Sequence, residues 1–137
     1  GVPGELRRER ISRCLELFGL QEAVNDLIQS YSHGMRQKIV LTGALLHDPP
    51  VFILDEPMTG LDPRSSRNLK ELMQEHVSRG RTVFFSTHVL EVAERFCHRV
   101  GIIHRGRLIA CGTMEELKGL AQDRESLENI FLELTEE

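Results

Sequence analysis

The segment "VFILDEPMTGLD", from Val51 to Asp62, runs from four apolar residues directly into two adjacent acids, Asp55 and Glu56. The run of four apolar residues is too short and too apolar for an exposed helix, and it predicts a β-strand that is buried on both faces. Pro63, which follows the segment, is typical of the first position of a helix. The segment therefore predicts a buried strand that ends in two carboxylates, followed by a loop and a helix.

A second apolar run, "TVFFST" at Thr82 to Thr87, predicts another buried strand after this helix, which we expect to stop at Gly80. Strand, helix and strand in this order form a βαβ unit, with parallel pairing and a right-handed crossover. Because parallel sheets bind ligands beyond the carboxyl ends of their strands, Asp55 and Glu56 are expected near the residues from Ser86 to His88. The predicted fold class is α/β, a parallel sheet with flanking helices.

Three helices are predicted before the first strand. The first has apolar residues that recur near one helical face: Leu6, Ile11, Leu15 and Phe18. Gly19 suits the position just after this helix. A short helix is expected around residues 23–28, and a longer one is expected to begin at Ser32, whose side chain can cap it, and to end before Pro49.

The remainder of the chain predicts a helix, a hairpin and two more helices. The helix covers about Val89 to Phe96, and Arg105-Gly106 forms the turn of the hairpin. Thr113 and Glu116 have the spacing of a capping box, and Ser126 begins a final amphipathic helix. The sequence contains no internal repeat or flexible linker, so a single domain is predicted.

The composition excludes several classes of protein. The chain has 137 residues, 40% hydrophobic and 28% charged, with a formal net charge of −4, which is typical of a globular domain. Its basic residues are dispersed, so nucleic acid is not the expected partner. No apolar run approaches the roughly 18 residues that span a bilayer, and the segment "GVPGELRRER" lacks the apolar core expected of a secretion signal. Three widely separated cysteines favour reduced thiols over disulfides or a zinc site.

The adjacent acids Asp55 and Glu56 have a chemical explanation and a simpler one. Neighbouring carboxylates repel each other unless a positive charge lies beside them. Mg²⁺ bound to phosphate is a common partner for one such carboxylate. The second carboxylate can then orient or activate a water for attack on phosphorus. The simpler explanation is a polar transition from strand to loop with solvated acids, and the tripeptide "DEP" alone does not decide between the two.

Four motifs together identify a family. They are "YSHGMRQK" at residues 31–38, "VFILDEP" at 51–57, "TGLDP" at 59–63 and "FFSTH" at 84–88. Their order and spacing strongly resemble the C-terminal half or more of the nucleotide-binding domain of ATP-binding-cassette (ABC) transporters, over nearly the whole chain. The resemblance implies a P-loop NTPase-type parallel sheet, with residues 1–48 in part of the helical signature subdomain and residues 49–137 in part of the catalytic core.

The resemblance also implies roles for four residues. Asp55 matches the Walker B acid that helps to hold Mg²⁺, and Glu56 matches the catalytic carboxylate. Asp62 matches the acid of the D-loop, which contacts the opposite subunit. His88 matches the switch histidine that approaches the γ-phosphate, although a lone histidine at the start of a helix is more often a surface residue.

The segment from Ser32 to Met35 resembles the family signature, which binds ATP held by the other subunit. A serine and a glycine open a helix here, and helix N-termini present free amides and a positive dipole to phosphate. An ordinary serine cap is the alternative. His33 stands where the usual motif has its first glycine, and Met35 stands where it has glutamine, so binding through the backbone is expected and a glutamine contact is not. Ser32 and Gly34 remain.

The function implied by the resemblance is ATP binding and hydrolysis in a membrane transporter. The cofactors are then ATP and Mg²⁺, and the partners are a second ABC ATPase domain and a transmembrane permease, which would hold the protein at the cytoplasmic face of the membrane. The final segment "SLENIFLELT" is similar to the end of ATPase subunits that serve ABC-2 exporters. A helix that only packs on the domain is the alternative reading of this segment.

No G-x-x-x-x-G-K-[ST] phosphate loop occurs in the sequence. We therefore expect a fragment that starts inside the helical subdomain, lacks high-affinity ATP binding of its own, and exposes an unpaired edge of its sheet. An alternative is a truncated, non-catalytic module that docks on an intact ATPase subunit. A role in DNA repair or translation would predict long heptad arms or basic insertions, which the sequence lacks. The transported substrate is not encoded in this chain.

Overall fold

The computed structural model describes residues 3–120 and 126–135. The chain forms two compact units, Gly1–Ser86 and Thr87–Glu137, and each is described by itself. The predicted division into a helical part before residue 49 and a catalytic core after it stays a prediction. Among the described residues, no helix has the length and apolar character needed to cross a membrane.

Among its described residues, the first unit contains three α-helices and two strands. Helices α1 (Gly4–Phe18) and α2 (His33–Leu46) precede strand β1 (Val51–Leu54), and helix α3 (Pro63–Ser78) connects β1 to strand β2 (Thr82–Phe85). The two strands pair in parallel, with Val51 opposite Thr82 and Leu54 opposite Phe85. The predicted parallel βαβ unit is confirmed.

The core of the first unit lies between the three helices and one face of the strands. Its buried residues are Phe18, Leu20, Leu41, Leu69 and Met73. Leu54 and Phe85 pack against this cluster from the strands. At the end of α1, Gly19 has a φ of 65°, the left-handed conformation that closes a helix, as the sequence predicted.

The prediction that β1 and β2 are buried on both faces is wrong for this chain. Phe52 is only 4% exposed, whereas Ile53 is 77% exposed and Phe84 is 67% exposed. Side chains alternate between the two faces of a strand, so packing of the helices on one face leaves the other face uncovered. The apolar residues Val51, Ile53 and Phe84 therefore form an exposed sheet face.

The predicted helix at residues 23–28 is also wrong. The chain forms turns at residues 22–25 and a single 3₁₀ turn at Ile28–Ser30. Leu27 is 74% exposed and Ile28 is 58% exposed, so a helix here would gain little from burial of apolar surface. The Tyr31 hydroxyl donates a hydrogen bond to the carbonyl oxygen of Ala23 at 2.7 Å, which holds the segment in its non-helical course.

Within residues 87–120 and 126–135, the second unit has a hairpin and three helices: α4 (Leu90–Phe96), β3 (Val100–His104), β4 (Arg107–Gly112), α5 (Met114–Lys118) and α6 (Leu127–Thr135). The two strands pair antiparallel, with an irregularity between Ile102 and Ile103. Arg105 and Gly106 both have positive φ, at 47° and 76°, which fits the twist of a tight hairpin. The predicted turn is confirmed.

Local capping signals also placed the last helices of the second unit correctly. Thr113 and Glu116 form the predicted capping box at the start of α5. The Ser126 hydroxyl accepts a hydrogen bond from the Asn129 amide, so Ser126 precedes α6 as expected. The buried core of the unit consists of Ala93, Ile102, Ala110, Leu117, Leu127 and Ile130. Residues 136 and 137 of the predicted final helix lie outside the described residues.

The 137-residue chain by itself is expected to self-associate. In the described residues, β1 and β2 pair only with each other, so their outer edges offer unpaired backbone groups beside the exposed Ile53 and Phe84. Light scattering and analytical ultracentrifugation should show an average molecular mass that rises with protein concentration. The double variant Ile53→Lys, Phe84→Lys should reduce this association.

Leu27→Lys is the matched control, because Leu27 is equally apolar and 74% exposed but lies outside the sheet. A cooperative monomer at every concentration of the unmodified chain would contradict the prediction.

Candidate functional site

The carboxyl ends of β1 and β2 meet through the hydroxyl group of Ser86. This hydroxyl donates a hydrogen bond to Oδ1 of Asp55 and accepts one from the backbone amide of Glu56 at 2.9 Å. The Ser86 amide in turn donates to the Leu54 carbonyl oxygen at 3.0 Å. Asp55 and Ser86 are exposed and Glu56 is half-buried. The structure thus places both adjacent acids at an accessible edge of the sheet.

Glu56 has a left-handed backbone conformation, with a φ of 43°. This conformation is uncommon for a residue with a side chain and costs on the order of 1–3 kcal/mol. Thr59 makes two hydrogen bonds to Glu56, from its amide to the carbonyl oxygen at 3.1 Å and from its hydroxyl to Oε2 at 3.4 Å. These contacts offset the strain and hold the acid at the beginning of the loop 56–62.

Asp62 caps helix α3 and pairs with a lysine of helix α2. Its Oδ1 accepts a hydrogen bond from the Ser65 amide at 2.9 Å, and its Oδ2 accepts one from the Ser65 hydroxyl at 2.7 Å. Lys38 Nζ lies 2.6 Å from the same Oδ2. The hydrogen bond from Lys38, followed by those from Ser65, holds the pKa of Asp62 far below its usual value.

The N-terminus of α2 lies directly against the loop 56–62. The Ser32 hydroxyl accepts a hydrogen bond from the Met35 amide at 3.2 Å, which confirms the predicted cap. A Cβ atom added to Gly34 would lie 2.7 Å from the carbonyl oxygen of Gly60, and one added to Gly60 would lie 2.9 Å from Cδ2 of His33. Gly34 is therefore required by the close approach of helix and loop, and His33 packs its ring over Gly60.

His88 belongs to the second unit. It is exposed and lies two residues before the start of α4. The preceding Thr87 accepts a hydrogen bond from the Val89 amide through its hydroxyl oxygen at 3.0 Å, which fixes the turn into the helix. The role of His88 beside the acids of the first unit stays a prediction.

A second charged cluster, which sequence reasoning missed, lies at the opposite end of β1. Asp48 forms an ion pair with Arg81, and its Oδ2 lies 3.5 Å from Nη2 of Arg10. Although partial burial raises the pKa of Asp48, the hydrogen bond and charge of Arg81 outweigh it, and the pKa is lowered. His76 is 4% exposed and its ring centroid lies 4.4 Å from that of Phe52. The cluster joins α1, α3 and the starts of both strands, away from the acids.

The sequence also missed the residues that hold the predicted site together. Lys38, Ser65 and Thr59 contact the predicted acids, and of these contacts only the capping of α3 by Asp62 has a recognisable sequence pattern. Asp62 directly before Pro63 is a common arrangement of helix cap and first helical residue, so the cap could have been found. The pairing with Lys38 depends on tertiary packing and leaves no local signal.

Comparisons with known proteins agree with this architecture. A family model described as "AAA domain, putative AbiEii toxin, Type IV TA system" matches residues 9–94. The ABC-type transporter ATP-binding protein EcsA of Bacillus subtilis is 36% identical over 100% of this chain and 56% of its own length. The linearmycin resistance ATP-binding protein LnrL of the same organism is 38% identical over 80% of this chain and 35% of its own length.

Solved structures show the same fold. A structure of the ATP-binding subunit of an ABC transporter matches with a TM-score of 0.90 and 35% identity, over 98% of this chain and 56% of that chain. A dimeric post-hydrolysis structure of the ATP-binding cassette MJ0796 bound to ADP and Pi matches with a TM-score of 0.70 and 28% identity, over 82% of this chain and 49% of that chain.

The fold and the acidic strand ends define part of a P-loop nucleoside triphosphatase domain. The chain belongs to the AAA-domain family whose model it matches, and over most of its length it is similar to part of the nucleotide-binding domains of ABC transporters. It spans from about a third to a little over half of the length of the two relatives described above.

The contribution of Asp62 to stability should disappear in acid. A carboxyl group whose pKa is lowered on folding stabilises the folded state above its unfolded pKa of about 3.9, and this contribution is lost as the pH falls towards the folded pKa. Asp62→Asn should therefore lower the melting temperature of the full-length protein at pH 7, and the difference from the unmodified protein should shrink below about pH 4. Melting curves from pH 7 to pH 2.5 measure this.

Asp26→Asn is the control, because Asp26 lies on an exposed turn of the same unit and should leave the melting temperature unchanged at each pH. A difference between Asp62→Asn and the unmodified protein that stays constant down to pH 2.5 would refute the assignment.

Proposed function

We propose that the protein is the ATP-hydrolysing subunit of an ABC membrane transporter, in which ATP hydrolysis between two such domains drives a partner permease. The observation that carries the proposal is the accessible cluster of Asp55, Glu56 and Ser86 where the two parallel strands end. Relatives named as ATP-binding proteins of ABC transporters support it. In this proposal the permease holds the subunit at the cytoplasmic face of the membrane.

The acids of this cluster fit the chemistry of MgATP. No group of three or more histidine, cysteine or acidic residues among residues 3–120 and 126–135 could hold a metal by itself. Mg²⁺ in nucleotide sites needs only one or two carboxylates besides phosphate and water, and the exposed carboxylate of Asp55 meets that requirement. When bound, Mg²⁺ would neutralise charge on the phosphates.

The remaining roles divide between the two subunits of a dimer. Glu56 orients the attacking water and accepts its proton, while Ser86 and Thr59 hold the two acids in position. His88 contacts the γ-phosphate. The segment from Ser32 to Met35 contacts the nucleotide of the other subunit through the N-terminus of α2, and Asp62 faces that subunit. A dimeric relative bound to ADP and Pi supports this arrangement.

The direction of transport in this proposal is export. The segment "SLENIFLELT" contains helix α6, whose residues Leu127 and Ile130 are buried in the core of the second unit. This burial also fits a helix that only packs on the domain, so the proposal of export rests on the similarity of the segment to the ends of exporter subunits. A relative named for linearmycin resistance is consistent with export. The permease would select the transported substrate.

A second candidate function is a non-catalytic module that docks on an intact ATPase subunit. The exposed sheet face of Val51, Ile53 and Phe84 favours it, because such a face is suited to a protein partner. The coding DNA upstream of Gly1 separates the two candidates. An in-frame phosphate-loop sequence there supports the ATPase subunit, and a stop codon directly before the chain supports the module.

Glu56→Gln in the full-length protein should abolish turnover and trap ATP-bound dimers. Glutamine keeps the size of the side chain and can still accept the hydrogen bond from Thr59, but it cannot take a proton from water. Loss of a general base lowers kcat by about a hundred-fold or more. Phosphate release measures kcat, and size-exclusion chromatography with ATP detects the dimers.

Glu71→Gln is the control, because it makes the same chemical change on the exposed side of α3. Turnover by Glu56→Gln at the rate of the unmodified protein would show that the base lies elsewhere.

The 137-residue chain alone is expected neither to bind nor to hydrolyse ATP. It has no phosphate-loop lysine to contact the β- and γ-phosphates. A ligand that binds only the folded state raises the apparent stability. Because no binding is expected, the melting temperature of the chain should be the same with and without millimolar MgATP. The full-length protein, measured in parallel, should show an increase. An ATP-dependent increase for the short chain would contradict the prediction.

A further inference from the structure

Helix α2 and the loop 56–62 contact each other over the first two turns of the helix. Gly34 approaches the carbonyl oxygen of Gly60, and the ring of His33 covers Gly60. One turn further along, Gln37 Nε2 donates a hydrogen bond to the carbonyl oxygen of Pro57 at 3.4 Å. Lys38 Nζ then reaches Asp62 Oδ2 at 2.6 Å. The contacts therefore extend from the beginning of the loop to its end.

These contacts come from one face of the helix. His33 and Gln37 are four residues apart, as are Gly34 and Lys38, and residues at this spacing lie one above the other on a helix surface. The face that turns towards the loop thus begins inside the signature segment and continues beyond it. Movement of the N-terminus of α2 would have to move the loop as well.

Lys38 makes the strongest of these contacts. Its side chain is only 15% exposed, so its aliphatic part is packed in the protein while its ammonium group meets the carboxylate. The same carboxylate caps α3 through Ser65. A single acid therefore joins the signature helix, the loop and the next helix. Without this acid, the charged and largely buried Lys38 would lower the stability of the fold.

The loop that Lys38 holds also positions Glu56. Thr59, next to Gly60, donates hydrogen bonds to both the main chain and the side chain of Glu56. Glu56 has a left-handed conformation, which persists only where the surrounding structure determines it. A loop that is fixed at Pro57, Gly60 and Asp62 leaves Thr59 and Glu56 little freedom.

We propose that Lys38 is a positioning residue that makes the signature helix and the acid-bearing loop one rigid piece, so that nucleotide bound at the N-terminus of α2 aligns Glu56 at the neighbouring nucleotide. The inference rests on the proposed ATPase function and extends it, because it assigns a role to a residue outside the predicted site. Lys38 acts through Asp62 and the loop, and it does not touch the nucleotide.

The test measures steady-state ATP hydrolysis by the full-length protein with Lys38→Met and Lys38→Arg. Methionine keeps the packed aliphatic part and removes the charge, so misplacement of Glu56 should lower kcat by about ten-fold while the KM for ATP changes by less than about two-fold. Arginine restores the charge and should recover most of kcat. Assays are run well below the melting temperature of each variant, so that the fraction of folded protein is equal.

Arg67→Met is the matched control, because it removes a basic residue from an exposed ion pair with Glu71 on the neighbouring helix. Its kcat should equal that of the unmodified protein. If Lys38→Met also retains full kcat, or if Lys38→Arg is no better than Lys38→Met, the inference is overturned while the ATPase function stands. An unmodified full-length protein without ATPase activity would overturn both.

Discussion

The ion pair between Lys38 and Asp62 is the interaction on which the arrangement of the first unit depends. Lys38 belongs to the helix that begins with the signature segment, and Asp62 ends the loop that begins with the two acids. Asp62 also accepts hydrogen bonds from Ser65 at the start of α3. The pair therefore links two helices and the carboxyl end of β1, which the apolar core packs together.

The departures of this chain from the usual signature become intelligible through this packing. His33 stands where the family form has a glycine, and its ring lies over Gly60, a residue of the loop with a φ of 78°. Gly34, which the chain retains, allows the helix backbone to reach the carbonyl oxygen of Gly60. The retained glycine and the added imidazole thus both serve the contact between helix and loop.

Features with local causes could be predicted from the sequence. The Ser32 cap, the Arg105-Gly106 turn and the Thr113 capping box depend on residues within a few positions of each other. The parallel βαβ unit followed from the order of two apolar strands and the helix between them. Long-range packing decided the rest. Ile53 and Phe84 have the composition of a buried strand but face outward, because the helices of the first unit cover only the other face. The pairing of Asp62 with Lys38 could not be predicted for the same reason.

If Lys38 and Asp62 couple the signature helix to the acid-bearing loop, both segments respond to ATP as one piece. Hydrogen–deuterium exchange of the backbone amides in the full-length protein, with and without MgATP, measures this response. Residues 33–38 and residues 57–62 should gain protection together when ATP is added, and Lys38→Met should separate the two responses. Protection that increases in only one of these segments in the unmodified protein would show that they are not coupled.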